Sequence, residues 1–140
     1  MQINNTSQYA IRILSYIAKN DTDNLLSAKE LSNVLEIPYK FLARIMTDLV
    51  KSGFIVSIRG RDGGFKLARE ASSISVLEVL NAFNEFTDSD KCILGIGFCS
   101  GADSDLKCIL HDKWAEPRDM IRKMYEETTI ENIEGLKFKE

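Results

Sequence analysis

Two amphipathic segments separated by a short turn most constrain the fold of this chain. The first begins at Ser27-Ala28-Lys29-Glu30, which has the pattern of a capping box, and carries apolar residues at helical spacing to Leu35. The second begins at Pro38, which suits a first helical position because no amide donor is needed there, and ends before Gly53. This arrangement predicts a helix-turn-helix, whose second helix can enter the major groove of DNA.

A β-hairpin is predicted directly after the second helix. The β-branched run 54–58 is followed by a glycine-rich stretch, 59–64, and by a short strand, 65–67. The glycines allow the backbone to approach another molecule closely, and the planar guanidinium groups of Arg59 and Arg61 suit phosphates or guanine edges. The hairpin therefore has the composition and the position of a DNA-binding wing.

Basic charge is concentrated in the same region. Residues 1–70 contain ten Lys and Arg against seven Asp and Glu, whereas residues 71–140 contain eight against fourteen, so the net charge of −3 conceals an asymmetry. Between residues 37 and 69 seven basic residues accompany only Asp48 and Asp62. Because counterion release depends on the charges at the contact, a chain that is acidic as a whole can bind DNA through this segment. A solvated basic surface without a partner is the alternative.

Three further helices are predicted from periodicity and end signals. The first runs from Thr6 to Lys19. Another starts at a second capping box, Ser75–Glu78, and continues toward Phe86. The last runs from Cys108 or Asp112 to Glu127, and Pro117 is expected either near its first turn or at a kink in the helix. The fold class is mainly α with a small β-hairpin. We expect a winged helix-turn-helix domain over residues 1–70, and a linker helix, a cysteine-containing loop and a long C-terminal helix over residues 71–140.

The three cysteines and the single histidine fall close together. Cys92, Cys99, Cys108 and His111 are separated by six, eight and two residues. Thiolates select zinc or iron–sulfur centres over hard cations, and the tight cysteine pairs of most zinc sites are missing, so an iron–sulfur cluster is favoured over zinc. Small buried cysteines are a further alternative, but the surrounding segment is polar and glycine-rich. An odd number of cysteines without a recognisable secretory signal argues against a disulfide framework and indicates a cytoplasmic protein.

Other functions find less support in the sequence. No stretch approaches the length of a membrane span, and His111 has no recognisable nucleophile and base around it, so we expect neither a membrane protein nor an enzyme. Two alternatives stay open. The cysteines could form a metal-free thiol redox sensor on the same DNA-binding fold, or the chain could be a small redox protein that does not bind DNA.

Several stretches resemble one family of bacterial regulators. The run IPYKFLARIMTDLVKSGFIVSIRGRDGGFKLARE, the opening SQYAIRIL and the ending CILHDKW are similar to the IscR/NsrR/CymR family, with the wing SIRGRDGGF and the Cys-x-x-His-x-x-Trp stretch as the most specific parts. The resemblance spans nearly the whole chain. It implies a homodimer that binds palindromic promoter DNA, with the last helix packed against its partner.

The resemblance also implies roles for individual residues. Tyr39, Lys40 and Arg44 on the second helix of the motif are expected to contact the DNA groove or phosphates, and Arg59 and Arg61 to make wing contacts. Phe41, Leu42 and Ile45 are expected in the core.

For the cluster, the resemblance implies a 2Fe-2S centre held by the three cysteines and His111, with 4Fe-4S as the alternative. Some members use an acidic residue near the end of the first helical turn as a further ligand, where this chain has Gln8, a poor ligand.

Overall fold

The protein is described by a computed structural model over residues 3–20, 25–84 and 109–133. Its elements follow in the order α1 (Asn5–Lys19), α2 (Ala28–Leu35), α3 (Tyr39–Lys51), β1 (Ile55–Ile58), β2 (Gly64–Leu67), a 3₁₀ turn (Ala71–Ser73), α4 (Val76–Ala82) and α5 (Ile109–Glu127). A mainly helical fold with one antiparallel hairpin confirms the predicted class. Within these ranges, none of the helices is both long enough and apolar enough to cross a membrane.

Helix α1 starts one residue earlier than predicted because Asn4 caps it. The Asn4 side chain accepts a hydrogen bond of 2.9 Å from the amide of Ser7. Ile13, Leu14 and Ile17, spaced three and four residues apart, are buried. The helix therefore supplies core, as its periodicity indicates.

Helices α2 and α3 form the predicted helix-turn-helix. The Ser27 hydroxyl accepts from the amide of Glu30 and caps α2. Between the helices Glu36 adopts the left-handed conformation, at φ 54°, and Ile37 is buried. Pro38 occupies the capping position of α3 and not its first helical position, because its backbone is not helical, with φ −51° and ψ 131°.

The hairpin follows Gly53, whose φ of +80° ends α3 in a conformation that glycine adopts readily. Strands β1 and β2 pair with Ile55 opposite Leu67 and Ile58 opposite Gly64. At the tip, a Cβ atom on Gly63 would collide with the carbonyl oxygen of Ile58. The turn therefore requires glycine at this position.

The hairpin is held to the helix-turn-helix by Leu26. The amide of Phe65 donates to the Leu26 carbonyl at 2.8 Å, and the Leu26 amide donates back at 3.3 Å. Since Leu26 directly precedes the cap of α2, this bridge sets the position of the hairpin relative to the two helices.

Helix α4 begins with the predicted capping box, in which Ser75 and Glu78 satisfy each other's backbone amides. It ends at Ala82, earlier than the predicted extension toward Phe86, which lies outside the described residues. Pro117 lies inside α5 as its ninth residue. Of the two predictions for this proline, the first-turn position is wrong, and the kink stays a prediction. The helix covers Ile109–Glu127, close to the earlier of the two predicted starts, and this places the proline in its interior.

The chain after α5 returns to the body formed by the earlier helices. Val76 donates to the Thr128 carbonyl at 2.8 Å, and Ile130 donates to the Ile74 carbonyl at 2.9 Å. The Ile130 side chain is 1% exposed and belongs to the same hydrophobic cluster as Leu14. We call residues 128–130 the C-terminal clip.

Candidate DNA-binding surface and cysteine segment

The outward face of α3 carries a basic stripe. Lys40, Arg44, Thr47 and Lys51 are exposed and fall within about 60° of one another around the helix axis. Leu42, Met46 and Leu49 are buried on the opposite side. The same spacing that buries one side of α3 therefore presents a row of cations on the other. Lys51 is one of the seven basic residues counted in the sequence between residues 37 and 69, but no DNA contact was predicted for it, although its spacing of seven residues from Arg44 places it on the same side of the helix.

Two aromatic side chains flank this stripe near the start of α3. Tyr39 is 57% exposed and Phe41 is 59% exposed. The expectation that Phe41 lies in the core is therefore wrong, whereas Leu42 and Ile45 are buried as predicted. Phe41 sits at the edge of the buried side of α3, where the neighbouring helix α1 leaves an open groove.

The wing presents Arg59 and Arg61 at its tip. Both side chains are exposed, and in the described part of the chain neither takes part in an ion pair or hydrogen bond. Their guanidinium groups are therefore available to an external anion, which is what contact with a phosphate or a guanine edge requires.

Arg69 belongs to the basic segment in sequence but has a structural role. Its guanidinium donates to Glu78 at 2.6 Å and to the Ser73 carbonyl at 2.7 Å, and it lies 5.7 Å from the centroid of the Phe54 ring. Arg69 therefore ties the end of the hairpin to α4 and is not a free cation.

The same pair perturbs the titration of Glu78. Burial raises the pKa of Glu78, but hydrogen bonds from Arg69 and from the Ser75 amide, together with the positive charge of Arg69, bring this pKa below its ordinary value of 4.5. The ionised form of Glu78 is thus the one that the fold favours.

The predicted cluster ligands fall into two groups. Cys92, Cys99 and Cys108 lie outside the described residues, whereas His111 lies in the first turn of α5. Its side chain is half-buried and makes no hydrogen bond or ion pair with the described residues. Within those residues no three His, Cys, Asp or Glu side chains come together as a metal site.

The side chain of Gln8 makes a local hydrogen bond. Its side-chain amide donates to the Ile3 carbonyl at 2.7 Å. This hydrogen bond belongs to the start of α1, and it accounts for Gln8 without a ligand role.

Comparisons with known proteins agree with this architecture. The Rrf2 family model, described as an iron-dependent transcriptional regulator, matches residues 3–134. An HTH-type transcriptional regulator of Aquifex aeolicus is 35% identical over 133 residues, which cover 95% of this chain and 91% of that protein. The HTH-type transcriptional regulator IscR of Escherichia coli (strain SMS-3-5 / SECEC) is 30% identical over 130 residues, or 93% and 78% of the two chains.

A solved structure shares the fold. CymR, the global cysteine regulator of B. subtilis, superposes with a TM-score of 0.77 at 20% identity, over 94% of this chain and 95% of CymR. Together with the family match over nearly the whole length, this likeness confirms the resemblance drawn from the sequence. The chain belongs to the Rrf2 family of transcriptional regulators.

Proposed function

We propose that this protein is a dimeric DNA-binding regulator whose affinity for promoter DNA is controlled by an iron–sulfur cluster. One observation carries the proposal: α5 covers Ile109–Glu127, next to Cys108 in sequence, and the C-terminal clip that follows it is hydrogen-bonded to Ile74 and Val76 at the start of α4. Family membership supports a regulator over an enzyme or a small electron carrier.

DNA recognition is assigned to α3 and the wing. In this proposal α3 enters the major groove, where Lys40 and Arg44 meet phosphates or base edges and Tyr39 contacts the groove wall. Arg59 and Arg61 contact the backbone or the adjacent groove through the wing. The exposure of these five side chains and the absence of ion pairs from the four cations, within the described residues, support the assignment.

A homodimer is assigned to the surface of α5. None of its residues is buried in the single chain, and Ile109, Leu110, Met120 and Met124 are exposed. Apolar side chains repeated along one helix are typical of a surface that a second copy covers. A two-fold dimer would present two α3 helices, which matches palindromic DNA.

The cluster is assigned to Cys92, Cys99, Cys108 and His111. Three thiolates and an imidazole are a donor set that suits a 2Fe-2S centre, with 4Fe-4S as the alternative and zinc as the less favoured metal. His111 is available as a donor because the described residues leave its ring without a partner. When bound, the cluster would supply a redox-sensitive link between the cysteine segment and the first turn of α5.

The chain's own contacts can carry such a change to the DNA-binding elements. The C-terminal clip joins the end of α5 to Ile74 and Val76, and Arg69 joins α4 to the end of the hairpin. A shift of α5 would therefore act on the wing through hydrogen bonds and buried contacts. Control of affinity requires that the two states of the cysteine segment favour different positions of α5.

A metal-free thiol sensor is the second candidate. It is favoured by the likeness in fold to CymR of Staphylococcus aureus, for which an oxidized form has been solved. In that case oxidation of Cys92, Cys99 or Cys108 would replace cluster chemistry, while the DNA-binding surface stays the same.

The test is anaerobic purification followed by visible absorption and iron, sulfide and zinc assays, with Cys92→Ala as the disrupted variant. Glu126→Ala, an exposed change in α5 that removes no proposed ligand and no apolar side chain of the proposed dimer surface, is the matched control. We expect broad absorbance with iron and sulfide in the wild type and in Glu126→Ala, and its loss in Cys92→Ala. A colourless protein after reconstitution would contradict the cluster.

Affinity for a selected promoter duplex is then compared between the cluster-loaded and cluster-free protein. A difference supports control by the cluster, and equal affinities contradict it. If iron-free protein changes its DNA affinity on treatment with peroxide and recovers with dithiothreitol, the thiol sensor is supported instead.

A further inference from the structure

A groove separates the start of α1 from α3. It has a volume of about 460 Å³, and its lining is more apolar than polar. Tyr9, Pro38, Phe41 and Ile45 supply the apolar part, and Asn5, Thr6, Arg44 and Asp48 supply the polar groups. Arg44 is part of the basic stripe on α3, and Phe41 lies beside that stripe. The groove is therefore continuous with the surface assigned to DNA and extends that surface onto α1.

The groove offers hydrogen-bond donors at its α1 side. The Thr6 hydroxyl and the Asn5 side-chain amide are exposed and make no hydrogen bond with other described residues. On the α3 side the Arg44 guanidinium is exposed and, over the same ranges, has no carboxylate partner. Donors thus line two sides of one groove, an arrangement in which a phosphodiester can be bound.

Positive charge near the groove comes from Arg44 and from the starts of two helices. Neither α1 nor α3 has an acidic residue in its first turn, so the positive end of each helix dipole is not offset there. The Arg12 guanidinium lies 5.8 Å from the centroid of the Tyr9 ring and adds a cation beside the groove. Asp48 is the single carboxylate among the lining residues, and it lies one turn beyond Arg44 along α3.

We propose that the α1–α3 groove receives one sugar–phosphate strand of the bound DNA, so that α1 contributes to the interface. A phosphate lies near Thr6, Asn5 and Arg44, and the deoxyribose packs on the exposed ring of Phe41. Asp48 repels the next phosphate and limits how far the strand enters. This inference rests on the proposed DNA-binding function, because the strand belongs to the same duplex that α3 enters.

The test uses fluorescence anisotropy with a duplex of mixed sequence at low salt, since backbone contacts do not depend on sequence. Thr6→Glu and Asn5→Glu place a carboxylate in the groove, at first-turn positions where it favours the helix and should not impair folding. Each is expected to weaken binding about tenfold, through repulsion of a nearby phosphate. Asp48→Asn removes repulsion and is expected to strengthen binding about threefold.

The matched control is Asn81→Glu, which makes the same change in charge on an exposed residue of α4, outside the groove, the stripe and the wing. We expect it to change affinity less than twofold. If Thr6→Glu and Asn5→Glu bind no more weakly than Asn81→Glu while the wild type binds DNA, the groove has another occupant and the inference is overturned. If the wild type binds neither this duplex nor a selected promoter, the proposed function itself fails.

Discussion

Replacing Ile130 by alanine tests whether the C-terminal clip is part of the hydrophobic core. The side chain is 1% exposed and packs in a cluster with residues of α1 and α3, although it follows α5 in sequence. The substitution removes buried apolar carbons and leaves the backbone hydrogen bond to Ile74 in place. Buried Ile-to-Ala changes cost about 2–5 kcal/mol, so we expect a loss of about 3 kcal/mol and a Tm lower by about 10 °C.

The assay is urea unfolding followed by circular dichroism at a fixed protein concentration, because association of chains would shift the midpoint. Lys29→Ala is the control: its side chain is exposed on α2, away from the proposed dimer surface, so its removal should change the free energy of unfolding by less than about 0.5 kcal/mol. A decrease of less than about 1 kcal/mol in the free energy of unfolding for Ile130→Ala would refute the reasoning, since truncating a side chain buried in the core costs more than that.

Four further outcomes are expected. Phe41→Ala should change the unfolding free energy by less than about 0.5 kcal/mol, whereas Leu42→Ala should cost about 2–5 kcal/mol in the same urea assay; similar losses would contradict the different burial of these neighbours. Gly63→Ala should weaken DNA binding in an anisotropy assay while the far-ultraviolet spectrum stays unchanged, because the added Cβ displaces the wing turn. Arg59→Ala should weaken binding by about 1–3 kcal/mol if it reads a base, and by less and equally for all sequences if it meets a phosphate; unchanged binding would remove the wing from the interface. Because folding lowers the pKa of Glu78, its ionised form stabilises the fold above pH 4.5, and this contribution is lost as the pH falls further. At pH 7 the free energy of unfolding of Glu78→Gln should therefore be lower than that of the wild type by less than about 1 kcal/mol, and this difference should disappear toward pH 3.

Patterns within a few residues of one another predicted most of the described fold. Helix α4 begins at the capping box read from Ser75 and Glu78, and α3 ends before the glycine expected to end it, Gly53. These signals are local because a cap satisfies backbone groups of the same turn, and a glycine with positive φ needs no distant partner. The hairpin was predictable for the same reason: glycines that a tight turn requires follow a β-branched strand and precede a second short strand.

Features that depend on distant contacts were not predictable in this way. Phe41 has the spacing of a core residue, but whether it is covered depends on how closely α1 approaches α3. Arg69 counts as a free cation in the sequence, but its partner Glu78 is brought to it by the 3₁₀ turn between them. The DNA contacts and the cluster ligands stay predictions, since they concern molecules that bind the chain.

The sequence by itself determined the helix-turn-helix, the wing and the family, because helical periodicity, capping residues and turn glycines act over one or two turns of the chain. Only the tertiary structure decided which exposed side chains remain free and which are paired, and it showed that residues after α5 return to complete the core around Ile130. The physical reason is that burial and ion pairing depend on which segments meet in space. Residues far apart in sequence, such as Ile74 and Ile130, carry no local signal of that meeting.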